Sequence, residues 1–154
     1  MHILKTFVTG AAAAAVLFTP ITASAASPRE AEQIRKLDIM LMVTSLRCRM
    51  GSDDFQPHYR KFSAKHLSTL NGAAKTLEGG LVKRHGAKGA KRALDRISVG
   101  MANQYGQGHP WLECAQLKSI THNLSLSKDP ADLTIAADEL LAASPVSGGR
   151  FASR

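Results

Sequence analysis

The stretch SPREAEQIRKLDIMLMVTSLRCRMG, residues 27–51, decides the fold. Ser27 can cap a helix, and Pro28 suits the first turn, where a backbone N–H has no intrahelical partner to lose. Glu30, three residues after the serine, completes a capping box. Ile34, Leu37, Leu41 and Thr44 then recur at 3-4-3 spacing with Cys48 one turn further on, which is the signature of a helix burying one stripe. Gly51 supplies the stop. These signals predict a helix from about residue 28 to about residue 49, with Cys48 on its inner face.

The same period continues downstream. Ser52-Asp53-Asp54 offers caps for a second helix whose apolar series, Tyr59, Phe62, His66, Leu70, Ala73, Leu77 and Leu81, keeps helical spacing. Arg60, Lys61, Lys65 and Lys75 take the opposite face. Gly79-Gly80 weakens the last turn, so this helix ends at Glu78 or runs on to Arg84. Lys83 to Gly89 reads as a basic, glycine-punctuated turn. A third helix follows, with Ala90, Leu94, Ile97, Met101 and Tyr105 in register, and Gly106-Gln107-Gly108 closes it. Pro110 leads into a fourth, with Cys114, Leu117, Thr121 and Leu124 on one face, and Asp129-Pro130 starts a short fifth that reaches Leu141. No segment alternates with period two, and no Asn-Gly or Asp-Gly hairpin turn occurs. The prediction is all-α: a small bundle of four main helices plus a short C-terminal helix, forming one domain over residues 26–143. Residues 144–154, with Pro, Gly-Gly and Ser, are expected to be a disordered tail.

Upstream of Ser27, residues 1–25 read as a signal peptide. Lys5 provides positive charge, Phe7 to Phe18 an apolar run, and Ala23-Ser24-Ala25 a cleavage site. The run is shorter than the roughly 20 residues a membrane-spanning helix needs. Cleavage after Ala25 would leave 129 of the 154 residues, with no transmembrane segment, in the periplasm or secreted. In such an oxidising compartment the only two cysteines, Cys48 and Cys114, are expected to form a disulfide tying the first helix to the fourth. Neither a CxxC nor a CxxCH spacing occurs, which removes thioredoxin-like and c-type haem chemistry.

Composition bounds the function. A chain of 154 residues with 44% apolar and 21% charged residues supports one globular domain, and excludes a large multidomain enzyme, a disulfide-dense miniprotein and a polytopic membrane protein. The 20 Lys and Arg exceed the 12 Asp and Glu by eight. Only Lys5 of these lies in the leader, so +7 belongs to the remainder.

Few constellations could carry chemistry. Residues 26–154 hold His58, His66, His85, His109 and His122, and no two form the HxxxH or HExxH pair that a zinc site on one helix face wants. His58 and His66, eight apart, are too distant to share an ion, and the methionines Met40, Met42, Met50 and Met101 read as packing rather than soft-metal ligands. Thus no metal site and no cofactor is expected. His66, inside an apolar stripe, or His109 could act as an acid–base group with Glu113, the one carboxyl beside apolar neighbours, Trp111 and Cys114. That combination defines the alternative reading, a small hydrolase-type enzyme. No GxSxG elbow, GxxxxGK[ST] or GxGxxG occurs. Gly86-Ala87-Lys88-Gly89 matches the GxxG of KH modules in two glycines only, and a chain without strands argues against specific nucleic-acid binding.

Charge is more informative. Between Lys83 and Arg96 stand Lys83, Arg84, Lys88, Lys91, Arg92 and Arg96 against Asp95 alone, and Lys88, Arg92 and Arg96 recur every four residues on one helical face. A glycine turn there feeds a helix N-terminus, whose free amides favour anions. The leading expectation is a non-enzymatic exported module whose basic face engages an anionic envelope component: lipid, glycan or polyphosphate-like. A second candidate surface is the interhelical corner of Tyr105, His109 and Trp111, where amphipathic aromatics commonly mark recognition. A structural protomer associating through its helix faces is the third reading.

The run Arg35–Arg49, with Tyr59-x-x-Phe62-Ser63-Ala64-x-His66-Leu67 and Gly108-His109-Pro110-Trp111-Leu112-x-Cys114, resembles a family of short exported alphaproteobacterial helical proteins over roughly residues 30–120. Some members of that family carry the label S-adenosyl-L-homocysteine hydrolase. The enzyme of that name is far larger and binds NAD on a dinucleotide fold, and this chain has neither the length nor the glycine fingerprint. The resemblance therefore implies export and a helical fold, and brings no catalytic residue.

Overall fold

The structure, a computed structural model, describes residues 26–144 and 147–151. The expected signal peptide lies outside the described residues. Five helices follow in order: α1 (Pro28–Arg47), α2 (Gln56–Lys65), α3 (Leu67–Tyr105), α4 (Cys114–Leu126) and α5 (Ala131–Leu140). The fold is all-α, and Cys48 is bonded to Cys114.

α1 is the central helix, touched by each of the other four. Its capping box is complete: the Ser27 N–H donates to Glu30 Oε2 at 2.8 Å and the Glu30 N–H donates to Ser27 Oγ at 3.3 Å. These bonds hold the Glu30 carboxyl below its ordinary value. Ala31, Leu37, Leu41 and Thr44 are fully buried, as is Met40, so the buried surface extends beyond the single expected stripe. A helix surrounded on several sides needs that width. The buried Thr44 hydroxyl donates to the Met40 carbonyl at 2.8 Å and so leaves no unpaired polar atom.

The expected second helix is divided at His66 (φ −102, ψ 15) into α2 and the start of α3. His66 is 6% exposed and its Nε2–H donates to the Leu124 carbonyl of α4 at 2.8 Å. The backbone ladder continues through the break, with His66 N–H bonded to Phe62 O and Leu70 N–H to His66 O. The break therefore costs few hydrogen bonds while aiming the imidazole at α4. Tyr59 adds a second tie, its hydroxyl donating to Asp38 Oδ1 of α1 at 3.0 Å. Burial and that carboxylate push the Tyr59 phenol well up.

Gly79 and Gly80 do not end the helix. Gly80 is an ordinary helical position where α3 passes the start of α1, and a Cβ on it would make normal contact with the Pro28 Cβ at 3.9 Å. The turn comes at Gly86, the one residue inside α3 with non-helical backbone (φ 67, ψ 172). A straight helix would carry Ile97 roughly 25 Å beyond Gly80 and off the end of α1. Instead Ala93, Ile97 and Met101 share a groove with Gln33 and Lys36 of α1. α3 is therefore a helical hairpin whose two arms both lie on α1. Gly89 allows the reversal to be tight, since a Cβ there would stand 2.6 Å from the His85 Cβ.

Within the stretch expected to be a disordered tail, residues 147–151 are placed against α5. The Glu139 carboxylate accepts the backbone N–H groups of Arg150 (2.7 Å) and Phe151 (2.6 Å), and the Arg150 guanidinium pairs with Asp132 at 2.9 Å. Composition alone did not reveal this, because the acceptor is a single buried glutamate on a neighbouring element.

Candidate functional site

The hairpin at Gly86 sets the basic cluster on two arms: Lys83, Arg84 and Lys88 lie within about 5 Å of the turn along the helix axis, Lys91 and Arg92 about 8–9 Å from it, and Arg96 about 15 Å down the second arm beside the groove on α1. Lys83 and Arg84 close the first arm of α3, while Lys88, Lys91, Arg92 and Arg96 open the second, and all six are exposed. None is in an ion pair with another described residue. Arg84 lies back on its own arm, its Nε–H donating to the Gly80 carbonyl at 3.3 Å. Exposed His85 stands among them, and Val82, 41% exposed, adds an apolar side chain to the same arm. The second arm starts at the turn, so the positive end of its dipole falls among these cations. These exposed cations, in no ion pair with a described residue, give this end of the hairpin a positive potential. Because Gly80 lies near Pro28, the first arm of the hairpin runs beside the start of α1.

The aromatic corner is also brought together, but its polar atoms turn inward. His109 Nε2–H donates to the Leu140 carbonyl at 2.8 Å and Trp111 Nε1–H to the Ala142 carbonyl at 3.2 Å. Those carbonyls stand at the C-terminal end of α5, which has no intrahelical donors left for them. The His109 ring lies edge-on to Trp111 at 4.7 Å and 5.4 Å from Tyr105, which is 1% exposed. The trio thus acts as a clamp on the end of α5. Burial holds the His109 imidazole below its ordinary value of 6.5, its bond to Leu140 opposing. The unfolded chain therefore takes up this proton first as pH falls, and the stability His109 contributes, complete above about pH 6.5, declines below it. The melting temperature is expected to drop between pH 7.5 and 5.5 in thermal scans. His109→Gln is expected to start lower and to drop less. A parallel pH dependence in the variant would remove His109 as the source.

The three side chains of the hydrolase reading are each engaged elsewhere. His66 Nε2 and His109 Nε2 are committed to backbone carbonyls. Exposed Glu113 caps α4 in a box with Gln116, whose Oε1 accepts the Glu113 N–H at 2.9 Å. A groove of about 550 Å³ between α1, α3 and α5 is lined by none of the three; its polar side chains include Thr69, Thr76, Thr134 and Glu30.

One pairing escaped the sequence. His58 of α2 and His122 of α4 meet with Nδ1 atoms 3.3 Å apart, although 64 residues separate them. Each sits beside its helix's buried stripe, His58 four residues before Phe62 and His122 next to Thr121. That marginal position was the one local signal, and only the docking of α2 on α4 turns it into a pair. Partial burial, then His122, Lys61 and Lys118, hold the His58 imidazole below its ordinary value. Among the described residues no helix is long and apolar enough to cross a membrane, and no three His, Cys, Asp or Glu side chains converge as metal ligands. Compared with protein families, curated proteins and solved structures, the chain matches none of them.

Proposed function

We propose that the protein is an exported, non-catalytic helical module that docks through the α3 hairpin tip onto an anionic envelope component, with phospholipid headgroups as the partner to test first. The observation that carries this reading is the set of six exposed cations, unpaired with any described residue, on the two sides of Gly86. The leader-like residues 1–25 and the Cys48–Cys114 bridge support export, since such bridges persist in oxidising compartments.

Residues 26–154 are expected to cosediment with vesicles containing phosphatidylglycerol and not with pure phosphatidylcholine. Each Lys or Arg near such a surface contributes about 1 kcal/mol, and the attraction is screened by salt. Arg92→Glu combined with Arg96→Glu removes two attractions and adds two repulsions, so a loss of about thirtyfold or more is expected. Binding to heparin or polyphosphate in place of vesicles would redirect the proposal to a glycan or polyphosphate. Absence of salt-dependent binding to all three, or an unchanged affinity in the double variant, would sink it.

A further inference from the structure

We infer that His58 and His122 form a chelating pair for a divalent transition-metal ion of the zinc–copper type, with water completing the coordination. The site lies on α2 and α4, elements other than the α3 hairpin, and the inference is independent of the docking proposal.

Geometry carries the argument. Zinc–imidazole bonds of about 2.0–2.1 Å at a tetrahedral angle place two ligating nitrogens about 3.3–3.4 Å apart. The two Nδ1 atoms are 3.3 Å apart. The rings meet at 72° with centroids 4.8 Å apart. The two Nδ1 atoms are within hydrogen-bonding distance, one ring donating to the other, and a shared tetrahedral ion would set the centroids about 5.2 Å apart, so an ion replaces the bridging proton after a modest rotation of the rings. With both rings in the Nε2–H tautomer, both Nδ1 lone pairs are left to one cation. The late first-row ions suit this donor set, since imidazole binds zinc and copper well and copper most tightly in the divalent series.

The surroundings leave room and hold the rings in place. His122 is exposed and His58 half-buried, and the crevice beside them, about 370 Å³, is otherwise lined by Ala115, Lys118 and Ser119. The Lys118 ammonium is drawn to the loop before α2, where it donates to the Ser52 carbonyl at 2.8 Å and faces Asp53 at 3.7 Å. Lys118 and Lys61 still place like charge near an incoming cation, so the two imidazoles bind it against that repulsion, which the Asp53 contact on Lys118 offsets in part. α2 and α4 pack directly on one another, and the bond from Cys114 to Cys48 fixes the start of α4. Two helices so held supply the preorganisation that a two-ligand site needs.

The test is a zinc titration of residues 26–154 at neutral pH, followed by calorimetry and by the histidine ring resonances in NMR. One equivalent of zinc is expected to bind, shifting His58 and His122 and leaving buried His66 unmoved. His58→Gln and His122→Gln are each expected to weaken binding tenfold or more, whereas His85→Gln, on the exposed hairpin, leaves it unchanged. His122 is exposed and His58 half-buried, and unchanged melting temperatures without metal will show that the variants fold. Zinc binding that survives the double His58→Gln/His122→Gln change, or ring resonances of the pair that do not respond, overturns the assignment.

Discussion

Replacing Cys48 and Cys114 together with alanine, or reducing the bond between them, is expected to lower the melting temperature by about 15 °C. The bond joins positions 66 residues apart in the chain. Closing a loop of that length removes enough freedom from the unfolded chain to be worth about 4 kcal/mol in the chain-entropy account. The entropy of unfolding, about 2.1 cal/mol/K per residue, converts this into a shift of about 15 °C for a domain of this size. The bridge also has a specific architectural place. Cys48 is the C-cap of α1, and Cys114 is the first residue of α4. It therefore fastens the α2–α4 pair to the central helix at the end opposite the Ser27 capping box. Alanine is the better replacement at Cys48, which is 6% exposed, because serine would bury a hydroxyl there. Thermal scans of the folded protein with and without reductant check this, and a shift below about 5 °C would show that the long loop contributes little to the unfolded ensemble's freedom.

How much was legible in the sequence depended on how local each cause was. α1 was readable almost to the residue because Ser27, Pro28 and Glu30 act within one turn and the buried stripe is continuous. The break at His66 was hidden because Phe62, His66 and Leu70 stay in phase across it, so α2 and α3 present one uninterrupted pattern to the core. Periodicity reports which face is buried and is blind to a bend that preserves the face. The glycines were ambiguous for a different reason. A glycine can mark a left-handed turn, a close approach or plain helix, and only backbone and neighbours decide: Gly86 takes φ 67, a Cβ on Gly89 would stand 2.6 Å from the His85 Cβ, and Gly79 and Gly80 are ordinary helical positions. The basic cluster was visible because all six cations fall within one short segment. The inward use of His109 and Trp111 was not, because the carbonyls they satisfy lie 31 residues further along the chain.

Gly86→Ala is expected to destabilise the protein by about 1–3 kcal/mol, the cost of holding a side-chain-bearing residue in a conformation that essentially only glycine adopts. Gly86 has φ 67 and ψ 172, and no atom lies within 4 Å of where its Cβ would stand. The penalty is therefore one of backbone conformation, free of any steric contribution from neighbours. Gly79 provides the control of opposite sign. It lies in the helical first arm with equally open space around its Cβ position. Alanine there removes freedom from the unfolded chain at no native cost, so Gly79→Ala is expected to stabilise by about 0.5–1 kcal/mol. Chemical denaturation of the two variants side by side measures the difference. The consequence reaches the tip, because Gly86 is what sets Lys83 and Arg84 on one arm beside Lys88, Lys91, Arg92 and Arg96 on the other. A residue that resists this turn spreads the cations along a straighter helix, so vesicle binding by Gly86→Ala should weaken while that of Gly79→Ala stays unchanged. Equal and small stability changes in both variants would mean that the reversal does not rest on Gly86, and the placing of the cations on two adjacent arms would lose its structural basis.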